Sequence, residues 1–138
     1  MSVLQYSVDI LSVPHVVVCG HYDCTFVREA MTHHSMGLID NWLSPVKHTA
    51  NACKEELDAI SDPEQRHRRL VELHALQQAR NLLKISTVQR SIVKMGTPRI
   101  HAWVYDPETG VIKDLKTNVN LKEDIAEIYQ YSESEDPT

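Results

Sequence analysis

No apolar run in the 138 residues approaches the roughly 18 residues a membrane-spanning helix needs. No G-x-G-x-x-G, P-loop or G-x-S-x-G segment occurs. That removes the signatures of dinucleotide binding, P-loop nucleotide binding and serine hydrolysis. A basic surplus is also lacking: 14 Lys and Arg stand against 19 Asp and Glu, for a net charge of −5. Bulk electrostatics therefore point to neither nucleic acid nor an anionic membrane as a partner. The opening residues, MSVLQYSVDI, have no basic region and no cleavage-like site, so secretion is not indicated. Cysteine is sparse and odd in number, at three. Without a signal peptide these read as reduced thiols, and the expected location is cytoplasmic. There is no internal repeat.

The composition is that of one globular domain with a real core: 42% hydrophobic and 24% charged. Eight histidines are uncommon for this length, and they keep metal binding and pH sensitivity open.

Along the chain, Val3, Leu4, Val8 and Leu11 recur at helical spacing, and Val13-Pro14 stops that helix. HVVVC at 15–19 has no polar alternation, the pattern of a strand buried on both faces of a parallel sheet. Thr25–Met31 suits one or two helical turns, and 32–37 a loop. Leu38, Ile39, Trp42 and Leu43 fall on one helical face. Ser44-Pro45 predicts a fresh helix start, with Ser as N-cap, running to about Ile60. Asp62, Pro63 and Gln65 predict another start and a long helix to about Leu83, lined by Val71, Ala75, Ala79 and Leu82. Ser86 predicts a short helix ending at Gly96. From Ile100 the period becomes two, and PETG with Gly110 predicts a hairpin loop between IHAWVYD and VIKDL. Leu121, Ile125, Ile128 and Tyr129 predict a last amphipathic helix. The acidic end, 132–138, has nothing to bury and is expected to be disordered.

The chemistry concentrates at His21 and Cys24, at the carboxyl end of the HVVVC strand, where α/β sheets place their functional groups. Zinc accepts imidazole and thiolate, and two such donors three residues apart can reach one tetrahedral ion. H-x-x-C is a short pattern, and the same residues also read as a helix-start cysteine and a loop histidine without metal. Cys19 lies on the same strand face as His21 but sits in the apolar run, so a buried, inert thiol is expected. Cys53 reads as a semi-buried helix residue. Asp23 reads as a solvated loop carboxylate or as an acceptor orienting an imidazole. His33-His34 reads as surface loop, and His101 as a packing residue alternating with Trp103 and Tyr105.

The order of segments resembles the β-class carbonic anhydrase family. LQYSVDILSVPHVVVCGHYDC resembles its helix, strand and H-x-x-C turn. GLIDNWL at 37–43, LVELHALQQARNL at 70–82 and HAWVYDPETGVIKDL at 101–115 resemble three further family segments in the same order. The resemblance implies an α/β fold with a short parallel-core sheet, a C-terminal hairpin and flanking helices, as one domain over 1–131. It implies a dimeric building block and zinc-dependent interconversion of carbon dioxide and bicarbonate, with His21 and Cys24 as two of three protein ligands. The family's third ligand belongs to a C-x-D-S-R segment whose Asp and Arg gate the metal. No C-x-D-x-R occurs in these 138 residues, and Thr25 and Phe26 stand where the family has small residues. The domain thus reads as N-terminally shortened, and its site as incomplete. The expectation is weak or absent turnover by this chain alone, and no catalytic residue is assigned. The alternative is a non-catalytic interaction or regulatory subunit, pairing with itself or with a complete paralogue.

Overall fold

A computed structural model of the chain describes residues 1–117, 121 and 123–132. Ser132 apart, the expected acidic tail lies outside the described residues. In chain order the elements are α1 (Ser2–Gln5), continued by a π turn (Tyr6–Ile10), β1 (His15–His21), α2 (Thr25–Ala30), a 3-10 turn (Gly37–Ile39), α3 (Asp40–Ala52), α4 (Lys54–Asp58), α5 (Pro63–Leu82), α6 (Ser86–Met95), β2 (Arg99–Tyr105), β3 (Ile112–Asp114) and a 3-10 turn (Glu127–Tyr129). Among the described residues the strands form one sheet of order β1-β2-β3. The Arg99 N–H donates to the Pro14 carbonyl, and the Tyr22 N–H to the Tyr105 carbonyl. Both strand numbers increase together between these bonds, so β1 and β2 run parallel. β3 returns antiparallel, with Trp103 opposite Asp114 and Tyr105 opposite Ile112. Gly110 between them has φ 73°, as the hairpin reading requires.

The chain divides into two compact units: one of 1–18, 78–101 and the described residues after Leu115, the other of 19–77 and 102–115. In the first, the π turn packs on α6 and buries Val8, while Val3 and Leu11 of the predicted stripe stay exposed. Gly96 ends α6 in the left-handed conformation. The Gln89 amide, buried here, donates to the carbonyls of Leu83 and Tyr129, and its oxygen accepts the Tyr131 N–H. In place of the predicted last helix there is only the turn at Glu127–Tyr129 among the described residues, and of its apolar set Ile125 is buried and Ile128 exposed.

In the second unit α5 provides the central face. Leu70, Val71 and Ala75 are buried, and a Cβ at Gly20 would meet Val71 Cγ1 at 3.4 Å. Glycine thus lets β1 approach the helix closely. Asp62 begins α5 by accepting the Glu64 N–H. Three expectations are corrected. Pro45 lies inside α3, which already starts at Asp40. The Asp40 carboxylate takes the Met36 N–H and the Ser35 hydroxyl, and this local anchor starts the helix one turn before Ser-Pro. The stripe of Leu38, Ile39, Trp42 and Leu43 buries only Leu43; Leu38 is 86% and Trp42 82% exposed. β1 is not buried on both faces, since its residues alternate between exposed and half-buried. Among the described residues it occupies an edge of the sheet, and Cys19, expected to be buried, is exposed.

Candidate metal centre

The turn His21-Tyr22-Asp23-Cys24 joins β1 to α2, and each of its residues is held by a different contact. His21, at the strand end, is exposed. Its Nδ1 lies 2.9 Å from the Tyr22 carbonyl oxygen. A carbonyl only accepts, so Nδ1 carries a proton, and in the neutral ring Nε2 is then the nitrogen that presents a lone pair. Metal-bound imidazoles are commonly oriented in this way.

Tyr22 is buried. Its hydroxyl donates to Glu72 Oε2 at 2.7 Å, and the Arg68 guanidinium lies 3.7 Å over its ring. Burial, then the Glu72 carboxylate, pushes the phenol up to about 12. Glu72 also accepts from Lys113 at 3.2 Å and Arg69 at 3.3 Å. Burial alone would raise this carboxyl, but the hydrogen bonds from Tyr22 and Lys113 outweigh it, and the net effect is a lowering.

Asp23 adopts φ 55°, an uncommon conformation that aspartate tolerates better than most residues. Arg28 holds its carboxylate at 2.9 Å and grips Glu64 with a second pair of bonds at 2.7 and 3.1 Å. These charge-assisted bonds, Glu64 first, raise the Arg28 pKa and lower that of Glu64. Asp23 thus serves the turn's backbone; the contact that orients the His21 ring is the Tyr22 carbonyl. A polar cleft of about 500 Å³ is lined by Tyr22, Asp23, Arg28, Glu64, Arg68 and Asp106, and neither His21 nor Cys24 lines it.

Cys24 is half-buried and precedes α2. Its backbone N–H donates to His67 Nε2 at 3.3 Å. Burial, with Arg28 adding to it, holds the His67 pKa below the ordinary histidine value. With Nε2 accepting, Nδ1 bears the proton, and Nδ1 has no hydrogen-bond partner among the described residues.

The structure therefore brings His21 and Cys24 into one anchored turn. It does not bring Cys19 to them: among the described residues no group of three or more His, Cys, Asp or Glu could hold a metal. Nitrogen and sulfur donors suit zinc in kind, but here their number stops at two. Cys53 is half-buried, and His33 and His34 are exposed, as expected. Sequence reasoning missed His67, Arg28 and Glu72 as supports of the turn. Only the i to i+5 spacing of Asp23 and Arg28, across a helix start, was a local signal.

A carbonic anhydrase family model matches residues 1–112. A carbonic anhydrase of Emericella nidulans is 39% identical over 130 residues, covering 94% of this chain and 57% of that protein. One from Candida albicans is 26% identical, covering 97% and 48%. In structure, a tetrameric β-carbonic anhydrase from Sordaria macrospora matches with a TM-score of 0.78 at 32% identity, covering 84% of this chain and 59% of that one. The fold is that of the β-class carbonic anhydrases, and the chain belongs to the β-carbonic anhydrase family. It spans about half the length of the curated relatives it matches.

Proposed function

We propose that these residues supply His21 and Cys24 as two protein ligands of a carbonic anhydrase zinc centre for the reversible hydration of carbon dioxide to bicarbonate. The observation that carries this is the His21 Nδ1 contact with the Tyr22 carbonyl, which turns Nε2 outward as the free ring nitrogen of the neutral tautomer, in the same turn as the Cys24 thiol. Bound zinc would lower the pKa of a coordinated water to about 7. The chain's own part is to orient one imidazole and anchor one thiol-bearing backbone. Its cytosolic setting, read from free thiols, belongs to the same proposal.

With two donors and no C-x-D-x-R segment, these 138 residues alone hold zinc weakly and turn over slowly. The loss of one electrostatic element commonly costs roughly a hundredfold in rate. Stopped-flow hydration of carbon dioxide, with added zinc and a metal-free control, tests this. The expected rate is well below that of complete family members. A rate within roughly tenfold of theirs, with no partner present, overturns the proposal.

A second reading is a non-catalytic partner subunit. It is favoured by exposed Phe26, Ile39 and Trp42, which together line one apolar pocket, and by the position of β1 at the edge of the sheet among the described residues. Self-association into a dimer or higher oligomer suits both readings; the Sordaria relative is described as tetrameric.

A further inference from the structure

In the turn His21-Tyr22-Asp23-Cys24, Tyr22 is the buried residue; His21 and Asp23 are exposed and Cys24 half-buried. Tyr22 is held at three points. Its hydroxyl donates to Glu72 Oε2 at 2.7 Å, the Arg68 guanidinium covers its ring at 3.7 Å, and its N–H donates to the Tyr105 carbonyl of β2 at 3.0 Å. Its own carbonyl accepts from His21 Nδ1 at 2.9 Å. We propose that Glu72, on α5, is a positioning residue for His21. Acting through Tyr22, it holds the peptide whose carbonyl fixes the aim and the tautomer of the His21 imidazole.

Local backbone preference does not fix that peptide. It joins Tyr22 to Asp23, and Asp23 has φ 55°. Turns with positive and with negative φ at the third residue differ by a rotation of the peptide before it, and a residue bearing a Cβ favours negative φ. Local preference thus favours the rotated peptide, whose carbonyl no longer faces His21. Long-range contacts oppose the rotation from both sides. On one side the Arg28 guanidinium ties Asp23 to Glu64. On the other, Glu72 ties down Tyr22. A buried hydroxyl deprived of its acceptor is costly, so without Glu72 the phenol gains by turning toward water, and its peptide is released. Glu72 is buried and braced in its turn. Lys113 donates to the same oxygen at 3.2 Å, and Arg69 to the other at 3.3 Å.

The consequence falls on the imidazole. With its acceptor in place, the neutral His21 ring keeps its proton on Nδ1 and leaves Nε2 free. Without that partner a neutral imidazole favours the proton on Nε2, the nitrogen that must be bare to bind a metal through it. The functional weight of this rests on the zinc reading of His21 and Cys24; the orientation of the ring does not.

The test begins without metal. The reduced full chain, with labelled histidine ring nitrogens, is observed by NMR at about pH 8, where ordinary imidazoles are neutral, and His21→Ala assigns the signal. His21 should be protonated at Nδ1 in the wild type, a readout that needs no variant to fold. It should shift toward the Nε2-protonated form in Tyr22→Phe and Glu72→Leu, and less in Glu72→Gln, which keeps an acceptor oxygen for the Tyr22 hydroxyl. Ser91→Ala, which removes a hydrogen bond to the Thr97 carbonyl elsewhere in the chain, should leave it unmoved. Cobalt(II) affinity, followed by thiolate absorption, should fall roughly tenfold in Tyr22→Phe and Glu72→Leu, as for the loss of an outer partner of a metal ligand. A wild-type ring protonated at Nε2, a tautomer unmoved in both Tyr22→Phe and Glu72→Leu, or an equal shift in Ser91→Ala overturns the proposal. Shifted tautomers with no cobalt site in the wild type would instead overturn the zinc reading and leave the positioning of His21 standing.

Discussion

His67 Nε2 lies 3.3 Å from the Cys24 backbone nitrogen, a contact spanning 43 residues of chain. It fixes the start of α2 against the buried face of α5, so the position of Cys24 depends on a side chain far away in sequence. His67→Leu should lower stability by about 1–3 kcal/mol, because the Cys24 N–H loses its acceptor. The urea midpoint should fall with an unchanged slope. An unchanged midpoint would mean that water replaces the imidazole without loss.

The Tyr22 hydroxyl binds an ionised, largely buried carboxylate. Tyr22→Phe should reduce stability by about 1.5–3 kcal/mol, as expected for a hydrogen bond to a charged partner. The ring and its Arg68 contact remain, so the fold persists. Thermal unfolding by circular dichroism measures the difference.

His74 gives a pH dependence of defined sign. The Thr49 hydroxyl donates to the Pro45 carbonyl and accepts from His74 Nδ1 at 3.0 Å. Burial holds the His74 pKa below the ordinary value of 6.5. The unfolded chain therefore takes up its proton first as pH falls. This contribution is complete above 6.5 and declines below it, toward the folded value. His74→Gln should flatten the fall in stability between about pH 6.5 and 5.5, a range in which most carboxylates stay ionised. His67 is shifted in the same direction, so some slope should survive. A slope identical to wild type would remove His74 from the account.

Edge strands left uncovered are templates for pairing with another chain. β1 lies at the sheet edge with Val17 exposed. Light scattering at micromolar concentration should show self-association, and Val17→Lys should reduce it. A wild-type monomer under those conditions would show that this edge needs no cover.

Local pattern made much of the fold legible. The turn chemistry at Asp62-Pro63, Gly96 and Gly110 marked element boundaries to within a residue or two. The run Val16-Val17-Val18 marked a strand, but not that one of its faces would be open, because burial depends on which neighbours a sheet supplies. Ser44-Pro45 misled for a related reason: Asp40 had already started α3 through side-chain bonds to Ser35 and Met36. His21 and Cys24 were visible as neighbours in one turn. His67, Glu72 and Lys113 were not, since their roles arise from long-range pairing that no spacing encodes. The pairing of His15 with His101 was not visible either, the two being 86 residues apart.

The most direct test of the central claim is metal binding at the turn itself. Cobalt(II) can replace zinc there and reports thiolate coordination by a charge-transfer absorption that an imidazole pair cannot produce. Wild-type chain titrated with cobalt(II), then displaced by zinc, should show one weak, thiolate-containing site per chain that vanishes in His21→Ala/Cys24→Ser. The same absorption and zinc affinity in the double variant, or no thiolate signal in the wild type, would contradict the account.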